Sequence, residues 1–253
     1  MPYETILLDV KDGVAVITLN RPDVRNAINL AMVEEIHDAL TELSTREDVL
    51  ALVLTGAGGK AFAAGADIAE LLARTHQDAL RSINTALFKR VEDFPRPTIA
   101  AIRGFALGGG CELALACDMR IAGEGARFGQ PEVSLGIMPA AGGTYRLPRL
   151  VGLGRAKELI FTGAIIDARE AERIGLVNRV VPDDQVLDAA LEVARKIASQ
   201  APLAVRLSKL IMNQAARGAS LTEVESVAQA ILFESDEKKR RMTDFLERKQ
   251  KKS

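Results

Sequence analysis

The sequence is poor in the residues on which several kinds of functional site depend. Its 253 residues include no tryptophan, two cysteines and two histidines. Cys111 and Cys117 have no histidine or further cysteine beside them, so they indicate neither a disulfide framework nor a zinc site. His37 and His76 leave few candidates for a catalytic triad or a histidine-based metal site. We therefore expect the chemistry to depend on other residue types.

Charge and hydrophobicity are also unbiased. Lys and Arg number 33 against 34 for Asp and Glu, so the chain lacks the basic field of a typical nucleic-acid-binding protein. No apolar run reaches the ~18–20 residues of a membrane-spanning helix. Residues Met1–Asp9 lack the basic and apolar segments of a secretory signal. The sequence predicts a cytoplasmic globular protein, without a membrane or nucleic acid as an expected partner.

Strands and helices alternate in the first part of the chain. The β-rich runs Thr5–Val10 and Val14–Leu19 flank Lys11-Asp12-Gly13 and predict a hairpin. Apolar residues at helical spacing predict a helix over Asn29–Leu43. The continuous apolar run Val49–Leu54 is typical of a buried parallel strand. This order predicts the α/β class.

A second strand, glycine turn and helix follow. Thr98–Ile102 and Met119–Ala122 predict short strands, and Gly108-Gly109-Gly110 opens a helix of small residues between them. After about Gly152 the pattern is helical, ending in a basic tail from Lys238. We predict an α/β core over residues 1–195 and a C-terminal helical region over residues 196–253.

Two carboxylates stand in otherwise apolar sequence. Glu112 lies within Gly109–Ala116, where burial of a charge is costly unless it is paired or its pKa rises. Glu132 has mainly apolar neighbours on a turn. With the strand Met119–Ala122 between them, both can meet at one end of the sheet. Two carboxylates in a dry pocket can divide acid and base work. A structural ion pair between Glu112 and an arginine is the alternative.

The glycine turns provide a second component of such a site. Backbone N–H groups at a helix start have no intrahelical partner and carry the positive end of the helix dipole. Gly108–Gly110 is one such turn, and the loop before Ala66-Asp67-Ile68 is another. One N–H from each turn can polarise a carbonyl oxygen. Alternatively, the glycines serve only tight packing.

A nucleotide site is not indicated by the remaining glycines. Gly56–Ala61 matches the G-x-G-x-x-A pattern, but it follows a hairpin and a helix rather than the first strand of a βαβ unit. Ala61 also replaces the Ser or Thr of a phosphate-binding loop. We expect no metal or redox cofactor.

Several ordered motifs resemble the crotonase family, most closely its enoyl-CoA hydratases. The motifs are Asn20-Arg21-Pro22 with Asn26-Ala27, Ala61–Ile68, Gly108–Ala114, and Phe128–Glu132 with Gly136, Pro139 and Gly142-Gly143-Thr144. The resemblance runs from about Thr5 to Lys249. It implies a spiral of repeated ββα units. It also implies that the protein assembles through its C-terminal helical region into a homotrimer or a dimer of trimers.

The resemblance also implies residue roles. The N–H groups of Ala66 and Gly109 would bind a thioester carbonyl oxygen. Glu112 would help to activate a water that adds to C3 of a trans-2-enoyl-CoA, and Glu132 would deliver a proton to C2. Coenzyme A is then part of the substrate. The residues implied to contact this substrate are Arg25, Ala27, Ala64, Ala66, Asp67, Ile68, Gly109, Ala140 and Arg248.

Three alternatives stay open from the sequence. One is hydration of a branched or dicarboxylic enoyl-CoA, for which Ala140 and Tyr145, at departures from the family pattern, are candidate selectivity positions. Another is isomerisation between Δ3 and Δ2 enoyl-CoA, although retention of both glutamates favours hydration. The third is RNA binding through the basic tail, which begins with Lys238-Lys239-Arg240-Arg241.

Overall fold

A computed structural model of the chain describes residues 3–250, and the side chains among them up to residue 247. Ten strands, twelve α-helices and three 3₁₀ helices lie within this part of the chain. The strands are β1 (Ile6–Lys11), β2 (Val14–Leu19), β3 (Ala51–Gly56), β4 (Ala61–Ala63), β5 (Thr98–Ile102), β6 (Phe105–Leu107), β7 (Met119–Gly123), β8 (Arg127–Gly129), β9 (Ile165–Asp167) and β10 (Arg179–Val181). The helices are α1 (Leu30–Thr45), α2 (Ile68–Ala73), α3 (His76–Leu80), α4 (Ile83–Glu92), α5 (Gly109–Ala116), α6 (Gly143–Val151), α7 (Leu153–Thr162), α8 (Ala168–Arg173), α9 (Val186–Ala198), α10 (Pro202–Ala215), α11 (Thr222–Glu234) and α12 (Asp236–Gln250).

The larger sheet contains the predicted hairpin and the predicted parallel strands. Its strand order is β1-β2-β3-β5-β7-β10, with β1 and β2 antiparallel and the others parallel. Asp12 and Gly13 in the hairpin turn both have positive φ, 51° and 78°. Alternate residues of the parallel strands pack on opposite faces: Leu52 and Leu54 belong to one core cluster and Val53 to another. Burial on both faces explains the continuous apolar runs.

The smaller sheet has the order β4-β6-β8-β9 and pairs β9 antiparallel to β8. Each of β4, β6 and β8 directly follows a strand of the larger sheet and precedes a helical segment. After β8 that segment is a 3₁₀ helix over Pro131–Leu135. The predicted spiral of ββα units is therefore confirmed.

Two sequence expectations about this region were wrong. The chain after Gly152 is not all helical, because β9 and β10 lie there. Two strands, β7 and β8, separate Glu112 from Glu132, where one was predicted. The missed strands β8, β9 and β10 have three residues each, too few to show a period of their own. They form because neighbouring strands provide hydrogen-bond partners.

The C-terminal part of the described chain consists of the helices α10, α11 and α12. Apolar side chains of α11 are exposed, among them Val227 at 61% and Ile231 at 52%. A trimerisation role for this region stays a prediction. No helix among residues 3–250 is long and apolar enough to cross a membrane.

Candidate active site

Loops from successive ββα units surround one cavity of about 610 Å³. The segment after β4 contributes Ala66, and the turn into α5 contributes Gly109 and Glu112. The 3₁₀ helix contributes Glu132, and the loop before α6 contributes Ala141. The cavity thus brings together both predicted carboxylates and both predicted backbone positions, although they come from distant parts of the sequence.

Glu112 is fixed by backbone amides of the loop before α6. The N–H groups of Ala141 and Gly143 each donate to its Oε1 at 2.8 Å. The side chain is almost fully buried, and burial raises its pKa above the usual value. The two N–H groups and the charge of Arg146 act in the opposite direction, because they favour the ionised form.

Glu132 is also buried, and the charge that acts on its pKa is that of Glu112 rather than that of a cation. Burial and the nearby Glu112 charge raise its pKa to about 7. Its Oε1 packs against Gly108, where a Cβ atom would lie 3.2 Å from that oxygen. With the Gln130 amide nitrogen facing the carboxylate, this nitrogen donates to Oε1 at 3.0 Å and Oε2 at 3.1 Å. One carboxyl group of the pair is therefore available in its protonated form near neutral pH.

This raised pKa predicts a pH-dependent stability difference. A carboxyl group with a pKa of about 7 in the folded protein and an ordinary value of 4.5 is protonated preferentially in the folded state. Its stabilising contribution is complete below the ordinary value and is lost as the pH rises through the folded value. Glu132→Gln cannot ionise. The free energy of unfolding of Glu132→Gln minus that of wild type should therefore increase by about 1–3 kcal/mol from about pH 5 to about pH 8.

Urea unfolding of both proteins across this pH range measures the difference. Glu34→Gln is the matched control, because Glu34 is an exposed carboxylate on α1. Its difference from wild type should stay flat with pH. Parallel stability curves for wild type and Glu132→Gln would contradict the raised pKa.

The two predicted N–H groups lie next to each other. A Cβ atom built on Gly109 would be 3.5 Å from the Ala66 nitrogen. Gly109 is the first residue of α5, so its N–H has no intrahelical acceptor. Within residues 3–250, neither the Ala66 nor the Gly109 N–H donates to a protein acceptor. Both donors are thus available to a ligand in the cavity.

The predicted substrate-contacting residues divide into two groups. Ala64, Ile68 and Ala140 line the cavity together with Ala66 and Gly109. Other predicted contact residues support the loop from outside the cavity: the Arg25 carbonyl accepts from the Ala64 N–H, the Ala27 carbonyl accepts from Arg21, and Asp67 pairs with Arg21 at 3.1 Å. The side chain of Arg248 lies outside the described residues.

Sequence reasoning missed several groups around the carboxylates. Gln130 contacts Glu132, and Arg146 contacts the loop that holds Glu112. The exposed apolar residues Leu135, Ile137 and Met138 line the cavity. The sequence signal for the second contact is the presence of an arginine, Arg146, shortly after Gly142-Gly143. Among the described residues, no group of three or more His, Cys, Asp and Glu side chains could hold a metal ion.

Comparison with known proteins shows similarity to one family along nearly the entire chain. The family model for enoyl-CoA hydratase/isomerase matches residues 9–252. A short-chain-enoyl-CoA hydratase of Clostridium acetobutylicum is 46% identical, covering 98% of this chain and 97% of the relative. A crotonyl-CoA hydratase of Syntrophomonas wolfei is 45% identical with the same coverage.

A solved structure shows the same similarity at the level of the fold. The crystal structure of enoyl-CoA hydratase from Bacillus anthracis superimposes with a TM-score of 0.93 at 42% identity, covering 97% of each chain. The chain therefore belongs to the enoyl-CoA hydratase/isomerase family, also called the crotonase family.

Proposed function

We propose that this protein is an enoyl-CoA hydratase that adds water across the C2=C3 bond of a trans-2-enoyl-CoA. The observation that carries the proposal is the convergence of two buried carboxylates and two unengaged N–H groups on one cavity. The two relatives named above as hydratases support the choice of reaction.

The N–H groups of Ala66 and Gly109 bind the thioester oxygen. Addition at C3 moves negative charge onto this oxygen, and the start of α5 adds the positive end of a helix dipole. These donors stabilise the enolate more strongly than the neutral thioester, so they accelerate the reaction. Addition of water involves no net oxidation or reduction, so the reaction calls for no redox cofactor, and the two N–H groups take the carbonyl-polarising role that a metal ion would otherwise have.

The two carboxylates divide the proton transfers. Glu112 receives both backbone hydrogen bonds at Oε1, and Oε2 takes none from the side chains described. That second oxygen takes a proton from water as the water oxygen bonds to C3. Glu132, with a pKa of about 7, donates its proton to C2 of the enolate. The product is a 3-hydroxyacyl-CoA, and proton exchange with solvent restores both carboxyl groups.

The cavity lining supports an apolar acyl chain. Ile68, Leu135, Ile137 and Met138 are exposed apolar residues of this lining. Arg74 also lines the cavity, which favours a second candidate substrate, an enoyl-CoA with a distal carboxylate. A relative from Escherichia coli, 42% identical over 83% of this chain, is named 2,3-dehydroadipyl-CoA hydratase.

Assembly and location belong to the same proposal. We infer a homotrimer or a dimer of trimers, which the exposed apolar side chains of α11 support. The free, buried thiols of Cys111 and Cys117 are compatible with the reducing cytoplasm.

An RNA-binding function is less well supported, because Arg240 and Arg241 pair with Glu237.

The direct test is hydration of crotonyl-CoA by the purified protein, followed by loss of enoyl absorbance. We expect a kcat of at least about 1 s⁻¹, at the lower end of typical enzyme values. A panel of medium, branched and dicarboxylic enoyl-CoA substrates then assigns the acyl preference. If the protein hydrates none of the substrates in the panel, the proposed function is contradicted.

A further inference from the structure

A buried arginine contacts the loop that holds Glu112. Arg146, on the first turns of α6, is 3% exposed. Its Nη1 donates to the Ala141 carbonyl at 2.9 Å, while the Ala141 N–H donates to Glu112 Oε1 at 2.8 Å. Ala141 is thus held at its carbonyl by the arginine and contacts the carboxylate through its amide.

The guanidinium also packs directly against the next residue of this loop. A Cβ atom on Gly142 would lie 2.0 Å from Arg146 Nη1, and Gly142 has a φ of 117°. Only glycine accommodates both this approach and this backbone conformation. The loop and the arginine are therefore fitted to each other, and the Gly143 N–H that follows also reaches Glu112.

The other edge of the guanidinium is clamped by a carboxylate from α4. Glu92 Oε2 accepts from Arg146 Nε at 3.3 Å and from Nη2 at 2.8 Å. Glu92 is itself held by α10 and the residues after it, because Asn213 of α10 donates to the Glu92 carbonyl at 3.0 Å and Arg217 lies 3.5 Å from Glu92 Oε2. The guanidinium is therefore fixed on two sides and has little freedom to move away from the loop.

We propose that Arg146, clamped by Glu92, is a positioning residue that holds the loop of residues 141–143 so that its N–H groups orient Glu112 to take a proton from the attacking water. This inference rests on the proposed hydratase function. Arg146 does not touch the reacting atoms in this scheme. It acts through the peptide groups on either side of Ala141.

The charge of Arg146 adds a measurable signature. The titratable groups that bear on Glu112 are Glu132 on the 3₁₀ helix, Cys111 on α5 and Arg146 on α6, with Glu92 on α4 behind the arginine. Arg146 is the cation of this set that favours the ionised form of Glu112. Loss of its charge should therefore move the acidic limb of the pH–rate profile to higher pH.

The test is Arg146→Gln, assayed for crotonyl-CoA hydration across pH. We expect kcat to fall roughly 10–100-fold, since small displacements of a catalytic group have effects of this size. The KM should stay within about threefold of wild type, because the thioester-binding amides are on other loops. Arg146→Lys retains the charge but cannot bridge the loop and Glu92, so it should restore the acidic limb without restoring kcat.

Arg149→Gln is the matched control. Arg149 lies on the same helix, 4.0 Å from Glu92, and like Arg146 it lies over the Tyr145 ring. It has no hydrogen bond to the loop within the described structure. This variant should retain the wild-type kcat and pH profile. An equal loss in Arg149→Gln and Arg146→Gln would overturn the positioning role.

Glu92→Gln tests the clamp if Arg146→Gln does not fold. We expect a lower kcat without an upward shift of the acidic limb, since the arginine keeps its charge but loses its carboxylate partner. Wild-type kcat in this variant or in folded Arg146→Gln would overturn the inference while leaving the hydratase function intact. An inactive wild type would instead refute the hydratase function, and this inference with it.

Discussion

Glu132→Gln should lower kcat for crotonyl-CoA hydration on the order of 10²–10⁴-fold, the effect typical of losing a general acid or base. Glutamine keeps the shape of the side chain but has no carboxyl proton to give to C2. KM should change little, because the thioester is held by backbone donors. Steady-state kinetics give kcat and KM separately, so they show whether the loss is confined to kcat.

Glu112→Gln should cause a loss of similar size, since the amide cannot take a proton from water. The double variant should lose less than the product of the two single effects, because the residues act in one reaction. Glu34→Gln, on the exposed face of α1, is the control and should keep full activity. Near-wild-type rates in both single variants would rule out the acid–base scheme.

Gly110→Ala should damage both stability and activity. A Cβ atom at this position would lie 2.0 Å from the Ala63 carbonyl oxygen and 2.7 Å from its carbonyl carbon. The contact is with backbone, so α5 and β4 must move apart, at a cost on the order of 3 kcal/mol. That movement displaces the Gly109 N–H from the thioester oxygen, and loss of one such donor costs roughly 10²–10³-fold in kcat.

Gly154→Ala provides the control for this substitution. Gly154 lies near the start of α7, and a Cβ there would meet nothing within 4 Å. Alanine favours the helix by about 1 kcal/mol over glycine, so the control should be as stable as wild type or more so. Urea unfolding and kcat are measured on both variants. A Gly110→Ala protein with unchanged stability and rate would show that α5 does not need this close approach.

The elements that could be predicted from the sequence are those with a pattern long enough to read. The hairpin has a turn signal between two six-residue strands, and α1 repeats its apolar positions over several turns. By contrast, β4, β6 and β8 have three residues each. Their strand conformation depends on pairing with each other, a long-range effect that no local pattern records.

The candidate site divides in the same way. Glu112 and Glu132 could be singled out because a charge among apolar residues needs an explanation wherever the chain goes. The Arg146–Glu92 pair could not, because its partners are 54 positions apart and each looks like an ordinary surface charge in sequence. Only the packing of α4 and α6 against α5 shows that a buried Arg146 meets a partly buried Glu92 beside the loop.

The cavity is assembled from loops of several successive ββα units, so no single unit contains a working site. Contacts between units far apart in sequence form late, because closing long loops is entropically costly. During refolding, recovery of helical and sheet signal can precede the meeting of Ala66, Glu112 and Glu132. Regained turnover would therefore report completion of the entire spiral and not the formation of its individual turns.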